Sequence, residues 1–256
     1  MSNLIKMELY KLRTSKLFII LLSIFAVVNI VSSFGTSMLV NAIVKNPEAI
    51  KGDLSSMFVS PFVLEMLMLF TFVSLVSFLY LDFNNGYIKN LAGQVPNRGY
   101  IVFSKFIVVA VHNLIYFLVA VLTCFISGLI TGINMDIQNL GAGIATFFIK
   151  WLLSLGIGAI LMFFAVGLKS KSFALILGVM IPVGAFSLIY MGIDTAVKNF
   201  LKIKGFALGN FMPDSLIGSV NAVKGTLVAN GIISAVVCIV LFYILTYITF
   251  NKRDIK

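Results

Sequence analysis

The sequence predicts an all-α integral membrane protein, and three observations support this prediction. Of the 256 residues, 60% are hydrophobic and only 11% are charged, whereas a soluble domain carries about a quarter charged residues. Uncharged stretches of roughly 18 residues or more, which is long enough for a helix to cross a bilayer, recur along the chain. The sequence lacks the alternating ten-residue segments of a transmembrane barrel, so the backbone must satisfy its hydrogen bonds within helices.

The apolar stretches predict six transmembrane helices in a single domain over residues 1–256. They cover residues 17–40, 60–81, 101–130, 146–168, 173–193 and 228–250. Six is an even number, so both termini lie on one side. With cytoplasmic termini, twelve of the 19 Lys and Arg residues fall inside, six fall outside, and Lys150 lies at a span edge. This asymmetry predicts a multi-pass protein of the cell membrane with both termini in the cytoplasm.

The first 16 residues are predicted to form an interfacial helix before the first span. Apolar residues recur at helical spacing, and cations such as Lys11 and Arg13 would lie near anionic lipid. Glu8 falls within the apolar stripe, where an acid is better placed against protein than against lipid. We expect it to contact a basic group of the cytoplasmic loop, with Arg98 as the first choice. The alternative is a carboxylate tolerated at the interface.

Two loops between the spans, and one proline within a span, stand out. Residues 82–100 form a cytoplasmic loop with a helix-like centre. Residues 194–227 form a long outer segment that is half apolar, so it is expected to lie at the interface or to re-enter the membrane. Pro182 lies inside the fifth predicted span, where it removes a backbone hydrogen bond and produces either a static bend or a hinge.

Several function classes are excluded or disfavoured by missing motifs. No G-x-x-x-x-G-K-[ST] loop is present, so the chain is not expected to hydrolyse ATP or to be an enzyme. A single histidine, His112, excludes metal sites built from several histidines and cysteines. The net charge of +10 could indicate nucleic-acid binding, but the charges flank apolar stretches, which favours membrane lipid as the partner.

Three residues are candidates for a transport pathway. Glu65 is an acid within an apolar stretch, where it could contact substrate, bind a proton or simply reach outer water. His112 lies in the third predicted span, where helix–helix hydrogen bonding is the alternative to a functional role. Pro182 is the third candidate, as a hinge. Lys150, beside Trp151, is expected to anchor its span at the headgroups.

Two segments carry a resemblance to a known family. The first starts at Glu8 and reads Glu-Leu-Tyr-Lys-Leu-Arg-Thr-Ser-Lys-Leu-Phe. The second follows the second predicted span, and its marked residues are Asp82, Gly86, Tyr87, Ile88, Lys89, Leu91, Pro96 and Arg98, followed by Ser104 and Lys105. Together they resemble type 2 ATP-binding-cassette (ABC) exporter permeases. Asp82 replaces the usual Glu of this family, and Tyr87 replaces the usual Thr.

The resemblance implies a permease subunit that exports an amphipathic or hydrophobic substrate, such as a peptide toxin, an antimicrobial peptide or a drug-like molecule. It implies pairing with a second copy, as a homodimer, and with two separate ATPase subunits. ATP and Mg would bind to those subunits, with no cofactor in this chain. The loop over residues 82–100 would couple to the ATPase, and the outer segment would close the pathway. The alternative is a proton-coupled secondary transporter that uses Glu65.

Overall fold

The computed structural model describes residues 2–43, 52–53, 61–84, 86–95, 98–131, 135–136, 140–201, 207–220 and 227–252. These residues form a helical bundle and, besides it, two paired strands of two residues each. The helices are α1 (Ser2–Thr14), α2 (Lys16–Ile43), α3 (Pro61–Asn84), α4 (Tyr87–Gln94), α5 (Gly99–Thr131), α6 (Leu140–Met162), α7 (Lys171–Met180), α8 (Ser187–Ala196), α9 (Pro213–Ser219) and α10 (Val228–Lys252). Strands β1 (Gly52–Asp53) and β2 (Met135–Asp136) pair in parallel, with Gly52 opposite Met135.

Four helices in the described part of the chain are long and apolar enough to cross a membrane: α3, α5, α6 and α10. The span in α6 includes the π-helical turn Phe163–Gly167, which continues it. A fifth span is counted if α1 and α2, which bend by 56° between them, are taken as one. The four helices cover the second, third, fourth and sixth predicted spans, so the membrane class is confirmed while the count of six stays a prediction.

The fifth predicted span, over residues 173–193, is not one continuous helix. Helix α7 ends at Met180, and α8 begins at Ser187. Pro182 lies in the break, where its ring nitrogen cannot donate to a carbonyl one turn back. Gly184 follows at φ 73°, in the left-handed region that ends a helix. The prediction of a single helix is therefore corrected to two ten-residue helices joined by residues 181–186.

Helix α6 lies at the centre of the bundle, packed against α3, α5, α9 and α10. Two glycines permit the close approach. A Cβ added to Gly158 would lie 2.9 Å from Cγ1 of Val109, and one added to Gly156 would meet the backbone of Ala235 at 3.4 Å. Small residues at such crossings let apolar helices pack through van der Waals contact. In α10, by contrast, only 17% of the apolar window is buried, which leaves its outer face for lipid or a partner.

Side-chain hydrogen bonds join the helices inside this apolar bundle. Asn29 of α2 donates to the hydroxyl of Thr123 in α5 at 2.7 Å. Asn113 of α5 donates to Ser154 of α6, both to its carbonyl and to its hydroxyl, at 3.2 Å. Polar groups in a water-free interior are stable only when they find such partners, so these bonds fix the mutual register of the helices.

Candidate functional site

The site is built around α4, the short helix between α3 and α5. Gly86 precedes it at φ 63°, a left-handed conformation that a residue with a Cβ adopts only with strain. This turn lets the chain leave α3 and enter α4 within two residues. Ile88 and Leu91 lie on one face of α4, 2% and 5% exposed, and hold it against the core. The eight-residue helix is therefore docked on the bundle rather than free in the loop.

Four charged side chains meet beside α4 and form what we term the charge cluster: Glu8, Lys11, Asp82 and Lys105. The Nζ atom of Lys11 lies 3.5 Å from Oε1 of Glu8 and 3.0 Å from Oδ1 of Asp82. Nζ of Lys105 lies 3.5 Å from Oε1 of Glu8 and donates a hydrogen bond to Oδ2 of Asp82. Two carboxylates thus face two ammonium groups, and the cluster is electrically balanced.

The charge cluster is removed from water. The side chains of Glu8 and Lys105 are fully buried, that of Asp82 is 11% exposed and that of Lys11 is 27% exposed. Withdrawing charges from water carries a penalty that close opposite charges must offset. Removing one member would leave an uncompensated buried charge, so the four side chains must keep their mutual positions. The cluster therefore acts as a rigid joint.

This joint ties α1, α3 and α5 together at the point where α4 attaches. Asp82 lies in the last turn of α3, Glu8 in the middle of α1, Lys11 in the last turn of α1, and Lys105 early in α5. Tyr87, the first residue of α4, extends the joint. Its ring lies 3.9 Å from Nζ of Lys11, and its hydroxyl donates to Sδ of Met7 at 2.8 Å. Helix α4 is thus in contact, through Tyr87 and the charge cluster, with α1 and with two membrane-capable helices, α3 and α5.

Most residues predicted for this site lie in or next to the joint. Asp82, Glu8 and Lys11 belong to the charge cluster, and Gly86, Tyr87, Ile88 and Leu91 form and dock α4. Arg98 lies half-buried just before α5, and Arg13 is exposed on α1. The side chain of Lys89 and all of Pro96 lie outside the described residues.

The partner of Glu8 was predicted as Arg98, whereas the structure places Lys105 and Lys11 beside it. The sequence marked Lys105 only as part of the segment that carries the resemblance, and its ion pairs with Glu8 and Asp82 were not predicted. The available signal was its position several residues into a predicted span, since intramembrane charges usually pair with one another.

The pathway candidates separate into two places. Glu65, whose side chain is exposed, and Pro182 line a cavity of about 160 Å³ together with Asp214 of α9. His112 is fully buried elsewhere, between α3 and α5. Its Nε2 lies 3.0 Å from the hydroxyl of Ser74, and its ring centre lies 5.1 Å from that of Phe18. His112 thus makes the helix–helix contact that was the alternative to a pathway role.

Two further predictions concern Lys150 and the outer segment. Lys150 is fully buried in α6, so the prediction that it anchors a span at the headgroups is wrong. The packing of α6 at the centre of the bundle is the reason.

The described part of the outer segment is docked on α10: Ser234 donates to the carbonyl of Phe211 at 2.7 Å and Asn230 to that of Asn210 at 3.2 Å.

Comparison with known proteins gives one family match. The model of a family described as ABC-2 family transporter protein matches residues 4–191. The matched region includes the whole charge cluster, α4 and the break between α7 and α8. No curated protein matches the chain.

Proposed function

The chain belongs to the ABC-2 transporter family, which supplies the membrane permease component of ABC transporters, and on this premise we propose that it is the permease subunit of an ATP-driven exporter. The chain carries no phosphate-binding loop, so the ATPase resides in a separate subunit. ATP and Mg bind to that subunit. Two such subunits serve a pair of permease chains, and the pair is a homodimer.

The observation that carries this proposal is the rigid joint formed by the charge cluster and Tyr87. An ATPase that closes on ATP must move a structural element that the membrane helices follow. Helix α4 fits this role because it is short, docked on the bundle, and in contact through Tyr87 with Lys11. Lys11 belongs to the charge cluster whose ion pairs join α1, α3 and α5. The membrane helices then have one arrangement before the ATPase closes and another after it. Transport follows if these two arrangements bind the substrate differently.

The proposal also includes an orientation in the membrane, an outer gate and a substrate class. Helix α4 faces the cytoplasm, as do both termini, and α1 lies along the inner leaflet beside the joint. Residues 194–227 form the outer gate. The substrate is amphipathic or hydrophobic, of the peptide-toxin, antimicrobial-peptide or drug-like class. The apolar surfaces exposed on α8 and α10 suit such a passenger and the lipid around it.

The alternative function is a proton-coupled transporter that works through Glu65. The cavity that Glu65 shares with Asp214 gives it a place where a proton could bind. Family membership favours the ATP-driven function, because ABC-2 permeases work with ABC ATPase subunits. A Glu65→Gln chain separates the two functions: the ATP-driven exporter retains ATP-dependent transport, and the proton-coupled transporter loses all coupling.

The proposal is tested by the Tyr87→Ala chain reconstituted with its ATPase partner. Tyr87 contacts both Lys11 and Met7, so its loss should uncouple α4 from α1 and reduce permease-stimulated ATP hydrolysis by about tenfold, which is about 1.4 kcal/mol in activation free energy. Tyr247→Ala, in an exposed position on α10, is the matched control and should leave the rate unchanged. Equal rates for the two variants would refute the assignment of α4 as the coupling helix.

A further inference from the structure

A second cavity, of about 350 Å³, lies between α6, α7, α8, α9 and α10. Ligand sites in proteins usually enclose about 300–1,000 Å³. Its walls are largely apolar and contain four phenylalanine rings, those of Phe164, Phe173, Phe186 and Phe242. We call it the Phe cavity. It meets the smaller cavity that contains Glu65, because Ile181 and Asp214 line both.

Asp214 is the charged residue among the side chains that line the Phe cavity. The hydroxyl of Tyr190 lies 2.9 Å from each of its carboxylate oxygens. Among the described residues, Asp214 forms no ion pair, whereas the acids of the charge cluster face two lysines each. Burial raises the pKa of the Asp214 carboxyl above its ordinary value, although hydrogen bonds from Tyr190 and from backbone N–H groups act in the opposite direction.

From this arrangement we infer that the Phe cavity binds a lipophilic cation, with the ammonium group at Asp214 and the apolar body among the phenylalanine rings. A cation supplies the charge that the carboxylate lacks in these surroundings. Aromatic faces also attract ammonium groups through their quadrupoles. A neutral lipid tail would fill the same space but give the carboxylate no opposite charge. The binding of this cation does not depend on the proposed function. Only its role as the transported substrate rests on that function.

The test is binding of dansylcadaverine, which joins a fluorescent apolar group to a primary ammonium, to the full chain in a neutral detergent. Trp151, the single tryptophan, lies on α6, which also lines the Phe cavity, so energy transfer from Trp151 reports binding. The N-acetyl derivative has the same body without the charge. We expect it to bind about tenfold more weakly, since it cannot pair with the carboxylate. Equal affinity of the two compounds would overturn the inference.

Three variants locate the site. Asp214→Asn should weaken dansylcadaverine binding to the level of the acetylated compound, and Asp214→Glu should retain most of the affinity. Glu65→Gln is the matched control, because Glu65 lines the neighbouring cavity and not the Phe cavity. The Glu65→Gln chain should bind dansylcadaverine with the affinity of the unmodified chain. An Asp214→Asn protein with unchanged affinity would contradict the inference.

A measurement that leaves Asp214 intact covers the case in which its variants do not fold. Cys238 lines the Phe cavity, and Cys124, the other cysteine, does not. In a Cys124→Ser chain, dansylcadaverine should slow alkylation of Cys238 by N-ethylmaleimide, and its acetylated form should not. Alkylation at the same rate with and without dansylcadaverine would count against the site. None of these readouts uses ATP, so a failure of the proposed transport function would show separately, as lost ATPase stimulation.

Discussion

Replacing Lys105 by methionine is the most informative perturbation of the charge cluster. The substitution keeps an unbranched side chain that is only one atom shorter, but it leaves Glu8 and Asp82 with Lys11 as their cation. Glu8 is fully buried, so one negative charge is then uncompensated away from water. Breaking a buried ion pair in this way costs about 3–5 kcal/mol.

Two other lysines, which are less buried, show whether the stability loss of Lys105→Met comes from burial of the charge cluster. Lys11 is 27% exposed, so solvent screens part of the loss and Lys11→Met should cost less than Lys105→Met. Lys16 is exposed on α2, and Lys16→Met should change stability by no more than about 0.5 kcal/mol. The order of the three variants therefore follows the burial of each lysine rather than its charge alone.

The assay is thermal unfolding of the full chain in mild detergent, followed by loss of the monodisperse elution peak. For a chain of this size, about 1 kcal/mol shifts the melting temperature by about 2–4 °C, so Lys105→Met should lower it by about 6–20 °C. Equal melting temperatures for Lys105→Met and Lys16→Met would refute the view that the cluster is a buried, mutually dependent set.

A double variant separates stability from coupling. Glu8→Leu combined with Lys105→Met removes one acid and one cation together and keeps the pair between Lys11 and Asp82, whose atoms lie 3.0 Å apart. Balanced removal of a buried pair is often neutral, so most of the melting temperature should return. The joint between α1 and α5 is nevertheless lost, and ATPase stimulation should stay low. Full recovery of both properties would show that the cluster only stabilises the fold.

Two further predictions concern glycines. Gly158→Val should lower the free energy of unfolding by about 1–3 kcal/mol, because its Cβ would lie 2.9 Å from Cγ1 of Val109 and force α5 and α6 apart. The melting temperature measures this loss. The control is Gly143→Val, where an added Cβ meets nothing within 4 Å. Gly86→Val should cost about 1–2 kcal/mol through its φ of 63° and should also weaken ATPase binding, because the entry into α4 is displaced. Co-purification with the ATPase measures the second effect, and Gly143→Val, which lies on α6 away from α4 and has open space around its Cβ, should bind normally. Variants at 158 and 86 that match their controls would contradict both arguments.

The membrane helices were predictable because lipid leaves the backbone few choices. A long apolar stretch must be helical, and the positions of α3, α5, α6 and α10 follow from composition and length. The break between α7 and α8 was only partly predictable. Pro182 indicated a weak point, but whether a proline bends or ends a helix depends on the conformation of its neighbours, here the positive φ of Gly184.

The site was predictable in its residue types more than in its pairings. The sequence indicated that Glu8 needs a basic partner, because an acid in an apolar stripe is costly. Which cation reaches it depends on how α1 packs against α5, and that packing is set by contacts far apart in the chain. The same reason explains Lys150, whose burial follows from the central position of α6 rather than from its neighbour Trp151.

The most direct test of the account is the composition of the complex that the full chain forms in its own membrane. The chain, carrying an affinity tag and extracted in mild detergent, is analysed by native mass spectrometry. The account predicts two permease chains bound to two copies of an ATPase with a phosphate-binding loop, and loss of that ATPase when residues 86–91 are replaced by a flexible linker. A chain that purifies without any ATPase and still transports substrate in vesicles would contradict it.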